Sequence, residues 1–503
     1  MSKVHGRVLV RAFGALALVV AAIGAQGQAL AASSSVTVGI SVAPKTLDLT
    51  TTADAAIPEV LLYNVYEGLV KLDSSGNVVP LLADSWKVSA NGRVYTFALH
   101  KGVTFQNGDP LTASSVVFSI ERVLNPPSNK PHPHADDMAP VRTIKAINRS
   151  TVRVTLKQRS NGWLYAMAGP AGVILDQKAI STIATHPVGT GPFSFSAFTT
   201  GYSVTLQKNP TYWGTPAGVD TVVFRAYADP NALVNAELAG DIDIIDNVLA
   251  PELMKRFTGD PSKFTVVEGL TNGKVLLSMN NSRAPLNKTK VRQAITYAIN
   301  RKALIKTAYA GYGKLIGTHS SPADPWYLDL SKAYPYDPAK AKRLLAQAGY
   351  PNGFSVTLQL PPFGYARTAG LFVQSQLGQV GIKVKLQNVD FGLWLDQVFT
   401  RANYDMTIVA HVEARDLIKY ADPHYYWRYD NKTVQRLIAA GDAAQTHAQW
   451  IADYREVERI ITQDAVNDWL FLLPSLEVVH SGITGYPKNS LSLSFDVTGL
   501  RRG

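Results

Sequence analysis

The stretch SVTLQLPPFGYARTAGLFVQSQLGQVGIKVKLQ at 355–387 decides the fold class. Ser355 to Leu360 alternates polar and apolar side chains as a strand does, Ala366 to Gln379 spaces its apolar groups as a helix does, and Lys383 to Gln387 alternates again. The pattern then repeats, with a helix expected from Leu393 to Thr400 and a strand from Asp405 to His411. Strand–helix units in succession are the material of an α/β lobe. Working back, Val275 to Met279 reads as a strand, Val291 to Ala308 as one long helix, and Pro338 to Ala348 as another. The change of character near Asn272 marks the start of this lobe.

Before Asn272 the elements are mixed. Ser35 to Ser41 alternates through Val36, Val38 and Ile40, and Pro58 opens an apolar-periodic helix through Leu61, Leu62, Val65 and Leu69. Trp86 to Phe105 alternates around Asn91-Gly92, the pair that supplies positive φ in a two-residue hairpin. Thr112, Ser114 or Ser115 caps a helix through Val116, Val117, Ile120 and Val123, which Asn125-Pro126-Pro127 stops. Pro126 to Pro140 is expected to be a surface loop. Strands at Thr151 to Leu156 and Val219 to Ala226 and a helix at Ala232 to Leu238 complete this half. No repeat of 20 to 50 residues is present, which speaks against solenoids and propellers.

Composition bounds the chemistry. The 503 residues are 46% hydrophobic and 17% charged, the balance of an ordered protein with more than one core. No cysteine occurs, which removes disulfides, thiolate zinc sites, iron–sulfur clusters and cysteine nucleophiles together. Lys3, Arg7 and Arg11 precede an apolar run from Ala12 to Ala25, and Ala29-Leu30-Ala31 has the form of a cleavage site. Residues 1–31 are therefore expected to be a signal peptide, with the mature chain starting at Ala32. The run is shorter than the roughly 20 residues that span a bilayer. With no cysteine behind it no lipid anchor is expected, and the expected location is the periplasm. Loss of the signal lowers the formal charge from +11 to +8 by removing three basic residues. No block of Lys and Arg interleaved with aromatics exists, so a nucleic-acid partner is not expected.

Catalytic signatures are missing from the sequence. There is no Gly-x-Ser-x-Gly, His-Glu-x-x-His, phosphate loop or dinucleotide fingerprint, and Asp241 and Asp243 sit where a structural role is expected. No cofactor and no catalytic residue are assigned. His132 and His134 flank a proline in a turn too short to offer much more than one metal ligand, and no metal site is assigned there.

Twelve short pieces, in order, resemble one family. They are APKTLD (43–48), VYEGLV (65–70), PLLADSW (80–86), YTF (95–97), KGVTF (101–105), NGDPLTA (107–113), VGTGPF (188–193), KNPTYWG (208–214), AGDIDI (239–244), VRQAI (291–295), YDPAKAK (336–342) and LLAQAGY (344–350). Together they resemble the large extracytoplasmic solute-binding proteins of ABC transporters, family 5, which includes dipeptide, oligopeptide and nickel binders. The resemblance implies a two-lobed periplasmic binding protein fold, class II-like, with an extra subdomain in the first lobe. Lobe I would comprise 32–271 plus 476–503, with the subdomain at about 55–185, and lobe II would span 272–475. It also implies a monomer that captures a small peptide or peptide-like solute between its lobes and presents it to an inner-membrane ABC permease and its ATPase. An opine, sugar or metal chelate is the alternative ligand, and an exported hydrolase the remote one.

In peptide-binding relatives an acidic residue after the strand matching Asp405 to His411 pairs with the peptide's amino group, often beside a tryptophan. Here the segment reads AHVEARD (410–416), with His411 in the tryptophan slot and Glu413 or Asp416 available for an ammonium. Arg367 and Arg415 are the rival carboxylate partners, because the loop PPFGY (361–365) lacks the arginine of the short dipeptide binders. Independently of the family, loops at strand C-termini are where α/β lobes bind ligands, and His411, Glu413, Arg415 and Asp416 bring both charge signs to one such loop. Trp394, Trp326 and Tyr327 are candidate pocket walls.

Overall fold

The computed structural model describes residues 34–52, 54–126 and 133–503. The expected signal peptide and His132 lie outside the described residues. Three sheets carry the architecture. The strand Ser35–Ile40 runs parallel to both Thr221–Ala226 and Ile244–Ile245 at the centre of a seven-stranded sheet, which continues through Ser203–Lys208 to Phe193–Thr199 on one side and through Ser475–His480 to Phe264–Gly269 on the other. A four-stranded antiparallel sheet, in the order Ala83–Val88, Val94–Leu99, Thr151–Leu156, Val141–Asn148, is inserted between its first two strands. The second lobe is a five-stranded sheet ordered Lys383–Asn388, Ser355–Leu360, Met406–His411, Lys274–Met279, Asn467–Leu472. Parallel pairing is confined to its first three strands, which are the strand–helix units predicted from periodicity.

The chain crosses between the large sheets twice, between Gly269 and Lys274 and between Leu472 and Ser475. The crossings are tied together: Leu473 N donates to Gly273 O at 2.7 Å and Thr271 Oγ1 to Leu473 O at 2.6 Å. One hydrophobic core continues across them, from Phe264 and Leu476 to Val275 and Leu470. Two adjacent, mutually bonded connections thus join the two large sheets.

The pieces at 65–70, 188–193 and 208–214 meet around one carboxylate. Buried Glu67 accepts from Thr190 Oγ1 at 2.8 Å, Tyr212 Oη at 2.8 Å and Trp213 Nε1 at 3.0 Å. Burial raises its carboxyl to about 7 against the lowering effect of these donors. A Cβ on Gly189 would meet Val65 O at 1.9 Å, so the turn can approach that backbone only with glycine there. These pieces are spelled as they are for packing rather than for ligand contact.

Several boundaries differ from the periodic reading. The helix at Pro58 ends at Leu61 and Tyr63 takes φ +66°, because Asn64 turns inward to donate to Val60 O and Phe495 O. At 89–94 the connection is longer than a two-residue turn, and of the expected pair only Gly92 adopts positive φ. The long helix expected to Ala308 is two, Thr289–Tyr297 and Arg301–Ala308, since the Asn300 side chain accepts from Ala303 N and starts a new helix. Past Phe391–Trp394 the backbone widens into a π-type turn at Leu395–Thr400. Part of the expected 126–140 loop is a short helix, Ala135–Met138, anchored by buried Met138. Among the described residues no helix is long and apolar enough to cross a membrane.

Candidate functional site

A cleft of about 1440 Å³ lies between the lobes. One wall comes from the first lobe, including Trp163, Tyr165, Leu249 and Leu491, and the other from loops at the C-terminal ends of second-lobe strands, including Phe363, Tyr365, Glu413 and Arg415. Most of the lining is apolar or aromatic, with charges at few points.

The 412–415 loop owes its shape to a lysine beneath it. Lys274 pairs in register with His411, is 1% exposed, and donates from Nζ to Glu413 O at 2.9 Å and to Asp416 Oδ1 at 2.8 Å. One ammonium thus grips both flanks of the loop. Arg415 takes the left-handed conformation at φ +56°, and the side chains of Glu413 and Arg415 emerge into the cleft.

Asp416 is the hub of the buried network. Its Oδ2 accepts from His319 Nε2 at 3.0 Å and His411 Nδ1 at 3.1 Å. Trp469 Nε1 donates to His319 Nδ1 at 3.2 Å, so that nitrogen is an acceptor and the His319 proton sits on Nε2. His411 Nε2 lies 2.8 Å from Tyr426 Oη, which in turn lies 2.9 Å from Ser278 Oγ. Burial lowers the His319 imidazole to about 4, leaving it neutral at pH 7. Burial alone would raise the Asp416 carboxyl, but His319, Lys274 and the imidazole N–H groups hold it well below the usual carboxylate range. With His319 uncharged, the counter-charge of Asp416 at neutral pH is Lys274.

The ligating atoms of His319, His411 and Asp416 lie within 4.8 Å of one another, close enough for a metal. Each is already hydrogen-bonded, and the Lys274 ammonium touches the carboxylate. This donor set is a closed network rather than a prepared metal site.

Of the residues named from sequence, Glu413 and Arg415 open onto the cleft, and fully buried Trp326 backs its wall. His411 and Asp416 lie below it as supports of the loop, 5% and 4% exposed. Trp394 is buried, donating from Nε1 to Thr407 Oγ1 at 2.9 Å and stacking on Phe391. Arg367 is exposed on the helix Gly364–Gly378, whose cleft contributions are Gly364, Tyr365 and Thr368, and Tyr327 is half-buried outside the cleft lining. Trp326 is fixed through Ser320: its Nε1 donates to Ser320 Oγ at 2.8 Å, and Ser320 Oγ bonds to Glu458 Oε1. Burial raises the Glu458 carboxyl to about 8. His134 also faces the cleft, with Nδ1 3.7 Å from Asp137 Oδ2.

Sequence reading missed Lys274, His319, Tyr165, Trp450 and Asp442. The Arg415 guanidinium lies 3.6 Å from the Tyr165 ring centroid, with Trp450 at 5.7 Å and Trp326 at 5.9 Å. It has no ion pair or hydrogen bond among the described residues, which leaves its N–H edge available. Asp442 clasps the lobes together: its Oδ1 accepts from Asn161 N at 3.1 Å, Gly162 N at 3.3 Å and Ser160 Oγ at 3.3 Å. Asn161 Nδ2 adds bonds to Gly441 O and Ala444 O. The one available signal was polar: Ser160-Asn161-Gly162 is a turn sequence with spare donors.

Two α/β lobes joined by paired crossings around an interlobe cleft are the architecture of solute-binding proteins. The description "Bacterial extracellular solute-binding proteins, family 5 Middle" matches residues 77–433, and the chain belongs to that family. It is 33% identical over 353 residues to the glutathione-binding protein GsiB of Pectobacterium atrosepticum, covering 68% of this chain and 66% of that protein. The chain thus spans about two thirds of that relative. Among solved structures, the binding protein AgaA from A. tumefaciens R10 in complex with agropinic acid is similar at 26% identity and a TM-score of 0.76, covering 93% of this chain and 99% of that one. DppA from Helicobacter pylori in complex with the peptide STSA shares the fold at 24% identity and a TM-score of 0.77, over 93% and 98% of the two chains.

Proposed function

We propose that this protein captures a peptide between its lobes in the periplasm and delivers it to the permease and ATPase of an ABC importer, as a binder and not a catalyst. The observation that carries the reading is the 412–415 loop, which presents Glu413 and Arg415, the latter without an ion pair among the described residues, to the cleft from a scaffold rigidified by Lys274. A carboxylate takes an ammonium and a guanidinium fork takes a carboxylate, so the loop matches a zwitterion. The cleft volume of about 1440 Å³ exceeds the roughly 300–1,000 Å³ of small-molecule pockets, and its aromatic walls suit side chains. The GsiB and DppA likenesses agree with a peptide-like solute. In this reading lobe I is 32–271 plus 476–503, lobe II is 272–475, and the crossings between them are the hinge.

The AgaA likeness favours a second reading, a single amino-acid conjugate of the opine kind, which is also zwitterionic. Native mass spectrometry of protein purified from the periplasm, with identification of the released molecule, separates the two. A heterogeneous peptide series supports the first reading and one non-peptide mass the second. Steady hydrolysis of the bound molecule would overturn both.

A further inference from the structure

We infer that the carboxylate subsite is assembled from both lobes, with Tyr165 of the first lobe positioning Arg415 of the second, so that the ligand's carboxylate meets a complete subsite only in the closed cleft. The inference rests on the peptide reading of the cleft. Its basis is the contact itself: the guanidinium lies over the phenol ring at 3.6 Å, the tightest cation–ring approach seen among the described residues. Arg415 and Tyr165 belong to different cores. Arg415 follows the strand Met406–His411 of the second-lobe sheet, whereas Tyr165 packs with the core beneath the four-stranded sheet.

A guanidinium resting flat on a ring uses its face and leaves its N–H donors in the plane free for a carboxylate fork. On an open protein the same side chain would lose this platform, because its own lobe offers only Trp326 and Trp450 at nearly 6 Å. The left-handed backbone at Arg415 and the Lys274 grip aim the side chain across the cleft. The Asp442 clasp, built from the loop immediately before Tyr165, brings the ring to meet it. Tyr165 is therefore a positioning residue that touches the ligand's partner rather than the reacting charge.

The test uses the full mature protein and two probes, a tetrapeptide of alanine and phenylalanine as the free acid and as its C-terminal amide. Titration calorimetry is run on wild type, Tyr165→Ala and Tyr165→Phe. The expected result is a loss of about tenfold in free-acid affinity for Tyr165→Ala, the size of a partly desolvated cation–ring contact, with amide affinity unchanged and Tyr165→Phe close to wild type. Equal losses for acid and amide, or no loss for either, overturn the inference. Hydrogen exchange of ligand-free protein supplies a second readout: Tyr165→Ala must accelerate exchange in 412–416, and unaltered protection overturns the pairing. If wild type binds neither probe while that exchange effect is present, the peptide reading fails and the Tyr165–Arg415 pairing stands.

Discussion

Replacing Lys274 with methionine removes the ammonium that holds the binding loop while keeping the length of the side chain. In the structure Nζ makes two bonds, one to the buried Asp416 carboxylate and one to the Glu413 carbonyl. At 2.8 Å and an effective dielectric of about 20, the charge interaction alone is roughly 6 kcal/mol, before desolvation is counted. Truncating one partner of a buried pair typically costs about 3–5 kcal/mol, because the other charge remains without compensation. Lys274→Met is therefore expected to lose about 3–5 kcal/mol in the transition that reports the second lobe. Asp416→Asn alone should lose a similar amount, leaving the ammonium bare. The double variant should recover most of the loss, since neither charge remains. The assay is denaturant unfolding followed by tryptophan fluorescence, with hydrogen exchange assigning the transition to a lobe, as two lobes need not unfold together. A Lys274→Met protein within 1 kcal/mol of wild type, or a double variant whose loss equals the sum of the singles, would refute the account of a pinned loop.

Four further outcomes follow from the geometry. Arg415→Ala should weaken binding of a free-acid peptide by about 2–5 kcal/mol while sparing its amide, read by calorimetry; equal effects would remove Arg415 from the carboxylate subsite. Glu413→Ala should weaken a peptide with a free amino terminus more than its acetylated form, and a wild-type ratio would detach the ammonium from this loop. Asp442→Ala removes three acceptor contacts across the cleft, so small-angle scattering should show a larger radius of gyration and stopped-flow a faster ligand release, whereas unchanged values would make the clasp incidental. Glu458 keeps its proton to about pH 8 when folded and only to about 4.5 when unfolded, so its contribution to stability is present below 4.5 and is lost as pH rises through 8. Between pH 6.5 and 8 that loss amounts to about 2 kcal/mol, which Glu458→Gln should abolish; equal pH slopes for the two proteins would contradict it. Below pH 6.5 neutral His319 acts in the opposite sense, because the unfolded imidazole takes a proton that the folded one takes only near 4.

The alternation at Ser355 to Leu360 and Lys383 to Gln387, and the helical spacing between them, determined a strand–helix–strand unit without help from the rest of the chain. These signals are local, since burial on one face fixes side-chain periodicity within a few residues. The same locality placed Glu413 and Arg415 on the loop after Met406–His411, and a loop at the C-terminal end of a strand faces the cleft. Which members of that loop face the ligand was not local. Asp416 carries the same charge as Glu413, yet it is withdrawn by Lys274 and His319, 142 and 97 residues away in the chain. The breaks at Tyr63 and Asn300 were likewise set by side chains turned to distant or capping partners rather than by loss of apolar spacing. Sequence by itself determined the strand–helix units of the second lobe and the charges on the loop after Met406–His411. Only tertiary structure decided that Lys274 sits beneath the loop, that Asp442 clasps the opposite lobe and that Tyr165 meets Arg415, because each contact joins segments whose proximity exists only after both lobes have packed.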